Sequence, residues 1–414
     1  MRLPTLLATL GLVLGTTSQQ LPLKTDSRWI LDNGGNRVKF RCINWPGHME
    51  ANIPEGLNKQ SVDFIADFIQ AQGFNCVRLT YSIDHALDPG VTVQDSFAAA
   101  AAPAGVSAEA FNATYAQVVE KNPFVANATT QDVFGAVIDA LWSRQVMTIL
   151  DNHVSKASWC CDLSDGNGWW DQAETYVEAN SRYFNTENWL NGLSAMATWA
   201  TSKPGVVAMS LRNEPRPVPV LQDLFDNHGA WRNFMQQGGQ RVHEANPDLL
   251  VIVGGSQSTQ DLSFIKVENL DYSAWAGKHV WEMHAYEFST TYAVAGDDCD
   301  ARQGLYGFFD GFVLEQGKPY TAPLLLSEFG VDLSTGPNDG LTDDGKNFYD
   351  CIKTYMTGND MDWALWAIQG TYYARGGATD VEETWGFMNK DWSGRRNEDF
   401  FTSMADLFKV TQGP

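Results

Sequence analysis

The segment VVAMSLRNEP, residues 206–215, is an apolar run that ends abruptly on an arginine, an asparagine and a glutamate. A buried strand is normally bounded by turn-forming residues, not by a carboxyl group next to an amide. A second apolar run, LLLSEFG at residues 324–330, also carries a glutamate close to its end. Two buried strands that each end near a carboxyl group predict a functional site at one edge of a sheet.

The same pattern, a β-rich apolar run followed by a polar loop and an amphipathic helix, recurs along the chain. In SVDFIADFIQAQ, residues 61–72, the apolar side chains share one helical face. Further strands are predicted at residues 37–45, 75–82, 146–155, 249–255, 279–288 and 361–370, which makes eight in all. This order predicts an α/β protein built as one eight-stranded parallel (β/α)8 TIM barrel. An open doubly wound sheet is the alternative, but no glycine-rich phosphate loop follows the first strand.

The composition indicates one large globular unit. Hydrophobic residues make up 44% and charged residues 19% of the 414 residues, and no Ser/Thr/Pro-rich linker divides the chain. We therefore expect residues 19–414 to form a single catalytic domain. The segment RWILDNGGNRVKF, residues 28–40, predicts an N-terminal hairpin around Asp32-Asn-Gly-Gly that covers the bottom of the barrel.

Residues 83–131 form a long insertion between the second predicted strand and its helix. The insertion contains three prolines and two glycosylation sequons, at Asn112 and Asn127, so we expect a surface loop. Because it leaves the strand on the catalytic face, we also expect it to wall one end of the cleft. Its apolar residues, which should pack on the loop after the third strand, are Phe97, Phe111, Tyr115 and Phe124.

The N-terminus predicts export. Residues 1–18 combine Arg2, a short apolar run and small residues before a cleavage point, which is typical of a secretory signal peptide. An extracellular protein can form disulfides, and six cysteines allow fifteen complete pairings. One pairing that we consider joins Cys160 or Cys161 to Cys299 and would brace two walls of the cleft.

The charge balance restricts the partners. The formal net charge is −22, so nucleic acid and anionic membrane surfaces would be repelled. No segment after the signal peptide has enough unbroken apolar residues to cross a bilayer. A neutral partner is compatible with this surface, and we expect a monomer.

The predicted strand ends carry a set of polar and aromatic residues that should face one space: Arg78, His153, Asn213, Glu214, His284, Tyr286, Glu328 and Trp366. Two carboxyl groups on opposite walls are suited to glycoside hydrolysis, in which one donates a proton and the other attacks the sugar. Arg78 would keep Glu328 charged and the Tyr286 hydroxyl would orient it. Strand alternation should turn Arg212 to the same side as Glu214. The histidines lack carboxylates at chelating spacing, so we expect no metal and no cofactor.

With these motifs in place, the sequence resembles glycoside hydrolase family 5, a family of (β/α)8 retaining enzymes. LRNEP resembles the acid/base motif of the family and LLLSEFG its nucleophile motif, and CINWPG, VRLTYS, ILDNHVS, MHAYEF and LWAIQG occur in the expected order. The resemblance implies that Glu214 is the acid/base and Glu328 the nucleophile. It implies a substrate-binding shell of Arg78, His153, Asn213, His284, Tyr286 and Trp366, to which we add Trp45 and Trp170.

The loop SKASWCCDLSDGNGWWD, residues 155–171, departs from compact members of the family. It contains Trp159, Trp169 and Trp170. Those that are exposed would stack on sugar rings, and we expect at least one of the three to be buried in the packing of the loop instead. The resemblance implies a polysaccharide or oligosaccharide substrate, with a β-1,4-glucan as the expected class, and an endo-acting cellulase. β-Mannanase, β-1,3- or β-1,6-glucanase and exo-acting β-glycosidase activity remain alternatives, and a non-catalytic carbohydrate-binding barrel is the alternative from another class.

Overall fold

The computed structural model describes residues 19–218, 227–334 and 340–414. The predicted signal peptide therefore lies outside the described residues. The chain enters through a short antiparallel hairpin of β1 (Lys24–Asp26) and β2 (Trp29–Leu31). The predicted reversal at Asp32-Asn-Gly-Gly is present, but it is followed by a single bridge, Leu31 to Arg37, so the two-stranded ladder precedes it.

Eight strands then form the closed parallel barrel that the sequence predicts. Their bounds are β3 (Arg41–Trp45), β4 (Cys76–Ser82), β5 (Met147–Val154), β6 (Val206–Ser210), β7 (Leu250–Gly254), β8 (His279–Ala285), β9 (Leu324–Phe329) and β10 (Asp362–Leu365). Each strand pairs with the next in sequence, and β10 closes the barrel onto β3, with Leu365 opposite Ile43. The strands read as continuous apolar runs because both of their faces are buried.

Helices surround the barrel. They are α1 (Val62–Ala71), α2 (Ile83–Leu87), α3 (Val93–Ala100), α4 (Ala108–Lys121), α5 (Thr130–Ser143), α6 (Glu178–Ser181), α7 (Thr186–Ala200), α8 (Asn227–Ala245), α9 (Cys299–Phe309), α10 (Asp343–Asn359) and α11 (Glu398–Ser403). Helix α1 begins where the Ser61 hydroxyl accepts a hydrogen bond from the Phe64 amide, and it buries Val62, Ile65 and Ile69 as its periodicity predicts.

The barrel interior changes character along its axis. The lower part is apolar: Leu23, Ile30, Val38 and Phe40 pack beneath the strands with Met147 and Leu250, so the N-terminal segment covers the bottom of the barrel as expected. The upper part is polar, because the next inward positions of β4, β5 and β8 are Arg78, Asp151 and Glu282. This division places the charged groups at the carboxyl ends of the strands.

The insertion at residues 83–131 is helical, not a loop, and it consists of α2, α3, α4 and a short 3₁₀ segment. The insertion meets the loop after β5 through Asp84, whose amide donates to the Ser155 carbonyl at 3.0 Å and whose carboxylate accepts from the Ala157 amide at 3.2 Å. Its buried aromatic residues do not pack on that loop as expected. Phe97 contacts Phe111 at a ring distance of 4.9 Å and Tyr373 at 5.4 Å. Tyr373 lies in β11 (Thr371–Arg375), which forms an additional hairpin with β12 (Ala378–Glu382). This hairpin was not predicted from the sequence, so its apolar surface was missing from the prediction.

The disulfides also differ from the pairing considered above. The six cysteines form the pairs Cys42–Cys76, Cys160–Cys161 and Cys299–Cys351. A bridge from Cys160 or Cys161 to Cys299 is therefore wrong. Cys299 begins α9 and faces α10, which packs against α9 and carries Cys351.

Replacing Phe97 by Ala should lower the free energy of unfolding by about 3–5 kcal/mol, because Phe97 is fully buried between the insertion and the β11–β12 hairpin. Phe124→Ala is the matched control, since that side chain is 44% exposed and the change should stay within about 0.5 kcal/mol. Denaturant unfolding of both variants checks this, and equal losses would contradict the bracing role of Phe97.

Candidate active site

Glu328, at the end of β9, is held by two donors. Arg78 Nη1 donates to Oε1 at 2.7 Å, and the Tyr286 hydroxyl donates to Oε2 at 2.9 Å. The residue is 5% exposed, so its carboxylate meets the cleft over a small area. The two contacts that the sequence predicted for Glu328 are therefore present in the structure.

Arg78 lies at the centre of the polar layer and is fully buried. Its guanidinium contacts Asp151 at 2.9 Å, Glu282 at 3.1 Å and Glu328 at 2.7 Å. Burial opposes its charge, but these three carboxylates outweigh burial and raise the pKa of Arg78 above its usual value. Arg78 Nη2 also donates to Asn213 Oδ1 at 3.0 Å, so one guanidinium positions groups on both sides of the cleft.

Glu214 follows β6, across the barrel from β10. Its backbone has φ of +47°, a left-handed conformation that costs a non-glycine residue about 1–3 kcal/mol and is common at functional sites. Two hydrogen bonds from backbone N–H groups hold this turn. The backbone N–H of Asn213 donates to the backbone carbonyl of Asn152 at 2.8 Å, and the backbone N–H of Glu214 donates to Thr259 Oγ1 at 3.2 Å. This turn directs the Glu214 carboxylate into the cleft, which it lines.

His284 lies between the two glutamates. Nδ1 donates to Glu214 Oε1 at 3.1 Å and is 3.7 Å from Glu328 Oε2. Burial alone would lower the pKa of His284, but Glu328, Glu214 and Glu282 outweigh it and raise the pKa to about 10. One oxygen of each glutamate and a nitrogen of His284 lie within 4.8 Å of one another, so an imidazolium bridges the pair.

The ionisation of Glu328 is a balance of opposing effects. Burial raises its pKa, the positive charges of His284 and Arg78 lower it, and the negative charge of Glu214 raises it again. The pKa of Glu328 is raised overall, so Arg78 offsets the desolvation of the carboxylate only in part. The charge of Arg78 favours the ionised carboxylate, as expected, but it does not by itself bring the pKa of Glu328 down to its usual value.

His153 and Trp366 complete the floor of the cleft. His153 Nδ1 lies 2.6 Å from Asp151 Oδ2, and burial together with Arg78 lowers the pKa of His153 well below its usual value. The neutral ring therefore donates through Nδ1 and can accept through Nε2, which is 3.3 Å from Asn213 Nδ2. The ring of Trp366 lies nearly parallel to that of His153, 5.5 Å away.

The structure brings most of the predicted residues together around a cleft of about 420 Å³. Its lining includes His153, Asn213, Glu214, Tyr286, Glu328 and Trp366, while Arg78 and His284 lie directly beneath. The prediction fails for Trp45, which is buried and donates to the Glu55 carbonyl, and for Trp170. Trp170 is fully buried in an aromatic cluster with Trp169, Phe184, Trp189 and Phe234, so it cannot contact a sugar.

The loop after β5 still supplies one aromatic residue, since Trp159 is 38% exposed and lines the cleft. Arg212 does not turn toward Glu214 as expected. Its guanidinium is buried over the ring of Phe184 at 3.9 Å and donates to the Asn167 carbonyl. It anchors the β5 loop instead of the carboxylate.

One wall of the cleft was not predicted from the sequence. Residues 83–131, all of which the structure describes, do not line the cleft, and the predicted wall is instead the β11–β12 hairpin and the segment after it. Its lining residues are Tyr372, Arg375, Glu382, Glu383, Thr384 and Trp385. The alternating segment TYYARGGATDVEE, residues 371–383, with its Gly-Gly pair, is a hairpin signal that could have revealed this wall.

Among the described residues, two groups have the composition of metal ligands: Glu214 with His284 and Glu328, and His153 with Cys160 and Cys161. In the first group His284 bridges the carboxylates as a cation. In the second group the sulfurs form a disulfide, and thiolates are the form of cysteine that binds metals. The first donor set therefore fits an ion-pair site better than a metal site, and the second offers no thiolate to a metal.

A parallel barrel with two carboxyl groups facing each other at the carboxyl ends of its strands is the arrangement expected of a retaining glycoside hydrolase. The chain belongs to glycosyl hydrolase family 5, since the cellulase model of that family matches residues 31–371. It is 39% identical to a glycosyl hydrolase 5 family protein of Chamaecyparis obtusa, over 99% of this chain and 70% of that protein. It is 22% identical to an endoglucanase of Paenibacillus polymyxa, over 90% of this chain and 86% of that protein.

Solved structures agree on the fold. An endocellulase from Pyrococcus horikoshii in complex with cellotetraose superposes with a TM-score of 0.70 at 16% identity, over 94% of this chain and 100% of that chain. The catalytic domain of the major endoglucanase from Xanthomonas campestris superposes with a TM-score of 0.69 at 19% identity, over 93% and 99% of the two chains. The protein is thus a family 5 glycoside hydrolase with a TIM-barrel fold.

The charge on His284 can be tested by titration. The ring nitrogen resonances of His284 should stay those of an imidazolium from pH 5 to 8 and change near pH 10, the value to which the carboxylates raise its pKa. Glu214→Gln removes one carboxylate and should lower this midpoint, whereas Glu287→Gln, at an exposed position in the next loop, should not. A midpoint at the ordinary histidine value of about 6.5 in the unmodified protein would contradict the bridging role.

Proposed function

We propose that this protein is a secreted enzyme that hydrolyses β-1,4-linked glucan chains, at internal bonds, with retention of configuration. The observation that carries the retaining mechanism is the spacing of the two glutamates, whose nearer oxygens lie within 4.8 Å. Retaining enzymes have carboxyl groups about 5–5.5 Å apart, whereas inverting enzymes need about 6.5–9.5 Å to admit a water molecule.

Glu328 is proposed as the nucleophile. Its carboxylate is fixed by Arg78 and Tyr286, which leaves it little freedom to rotate away from an anomeric carbon. In the first step an oxygen of Glu328 bonds to the anomeric carbon as the bond to the leaving oxygen breaks. The negative charge of Glu328 is consumed in that step.

Glu214 is proposed as the acid/base. Its side chain is 14% exposed, more than that of Glu328 at 6%, so it can reach the leaving oxygen and then a water molecule. In the first step it protonates the leaving oxygen, and in the second step it takes a proton from the water that attacks the glycosyl-enzyme.

The surrounding residues are proposed to hold the sugar at the cleavage point. Trp366 offers an apolar face to the ring, and the Asn213 amide is placed to donate to the sugar 2-hydroxyl. The hydrogen bond to the 2-hydroxyl strengthens as positive charge develops on the sugar, so it contributes to the rate and not only to binding.

The choice of a β-1,4-glucan rests on the relatives. Three of the four proteins compared are named endoglucanase or endocellulase, and one of these was solved with cellotetraose. Export and a single catalytic domain over residues 19–414 remain part of the proposal. They are supported by three disulfides, which persist in oxidising compartments, and by the exposure of both sequon asparagines. In the described part of the chain, no helix is long and apolar enough to cross a membrane.

Hydrolysis of a panel of tetrasaccharides and polymers tests the substrate proposal. The enzyme should cleave cellotetraose and soluble β-1,4-glucan faster than the corresponding mannan, β-1,3-glucan or β-1,6-glucan, and it should lower the viscosity of the polymer early in the reaction. Glu328→Gln is the inactive control. Faster cleavage of any other linkage or sugar would overturn the β-1,4-glucan assignment, and release of a single short product from the start would overturn internal cleavage.

A further inference from the structure

The disulfide between Cys160 and Cys161 joins neighbouring residues in the loop after β5, and both cysteines line the cleft. The other two disulfides span 34 and 52 residues. The stabilisation that a disulfide gives by restricting the unfolded chain grows with the length of the loop that it closes. A bond between sequence neighbours closes almost no loop, so its effect must be sought in its immediate surroundings.

The group that contacts both sulfurs is the side-chain amide of Asn213. Nδ2 of Asn213 lies 3.5 Å from Cys161 Sγ and 3.8 Å from Cys160 Sγ, both within the range of hydrogen bonds to sulfur. The same nitrogen is 3.3 Å from His153 Nε2, and Oδ1 accepts from Arg78 Nη2 at 3.0 Å. The amide is therefore oriented on every side before a sugar binds.

The three partners of the amide differ in strength. Arg78 holds the oxygen by a charge-assisted bond, and the neutral His153 ring offers a nitrogen lone pair. The disulfide sulfurs are weak acceptors and have no proton to donate. The amide hydrogen that faces the sulfurs is thus directed into the cleft but weakly bonded. A sugar hydroxyl oxygen can accept a hydrogen bond from it, because only a weak bond to sulfur is lost.

We propose that the Cys160–Cys161 disulfide is a positioning element that holds the Asn213 amide ready to donate to the 2-hydroxyl of the sugar at the cleavage point. The inference rests on the proposed function, in which Asn213 contacts that hydroxyl. The two cysteines act through Asn213. A water molecule or a hydroxyl group in place of the sulfurs would accept more strongly and compete with the sugar, whereas a donor aimed in advance requires no reorganisation during the reaction.

The test compares 4-nitrophenyl β-cellobioside with its analogue that lacks the 2-hydroxyl on the sugar bonded to nitrophenol. In the double variant Cys160→Ala/Cys161→Ala, kcat/KM for the parent substrate should fall about tenfold, the size of one hydrogen bond. For the 2-deoxy substrate the two enzymes should agree within about twofold, because the donor has no acceptor to meet. The control, Cys299→Ala/Cys351→Ala, loses a disulfide outside the cleft lining and should leave the ratio between the two substrates unchanged.

Equal losses on both substrates, or no loss on the parent, would overturn the inference. If the enzyme without substitutions cleaves the parent and the 2-deoxy substrate with equal kcat/KM, the role of Asn213 and the inference are both overturned. Hydrolysis of the glycosidic bond in either substrate would still support the proposed function. If the alanine variant does not fold, Cys160→Ser/Cys161→Ser retains the side-chain size. Its stronger hydroxyl acceptors should give the same loss, confined to the parent substrate, and a loss on both substrates would again contradict the inference.

Discussion

The buried guanidinium of Arg78 is the interaction on which the rest of the site depends. It meets three carboxylates, from β5, β8 and β9, and it also orients the amide of Asn213. Removing one partner from such a buried network leaves an uncompensated charge and typically costs about 3–5 kcal/mol. The polar layer is therefore tied to the stability of the barrel, and the proposed nucleophile and the proposed contact to the sugar share one anchor.

The walls of the cleft are built outside the barrel. The helical insertion at residues 83–131 packs on the β11–β12 hairpin through Phe97 and Tyr373, and that hairpin faces the cleft. Tyr373 is further fixed by its hydroxyl, which donates to the Pro54 carbonyl at 2.7 Å. The insertion thus supports the hairpin that lines the cleft. A long segment between a strand and its helix can in this way affect the shape of the cleft without lining it.

Much of this architecture could be predicted from sequence, because apolar periodicity reports burial and strand order follows chain order in a parallel barrel. The residues at the strand ends, such as Glu214 and Glu328, were predictable for the same reason. Trp170 was misassigned because the exposure of a loop side chain depends on tertiary packing that periodicity does not encode. The charge on His284 and the contact of Cys161 with Asn213 depend on distances between separate strands, so no local pattern could predict them.

Covalent bond formation between Glu328 and the sugar is the step on which the proposed retaining mechanism depends. Incubation with 2,4-dinitrophenyl 2-deoxy-2-fluoro-β-cellobioside tests it most directly, because the fluorine slows both steps while the good leaving group lets the first proceed. We expect the mass of the protein to rise by one fluorinated cellobiosyl unit and peptide mapping to place the unit on Glu328. A unit on Glu214 or elsewhere, or no adduct in an enzyme that turns over the unfluorinated substrate, would contradict it.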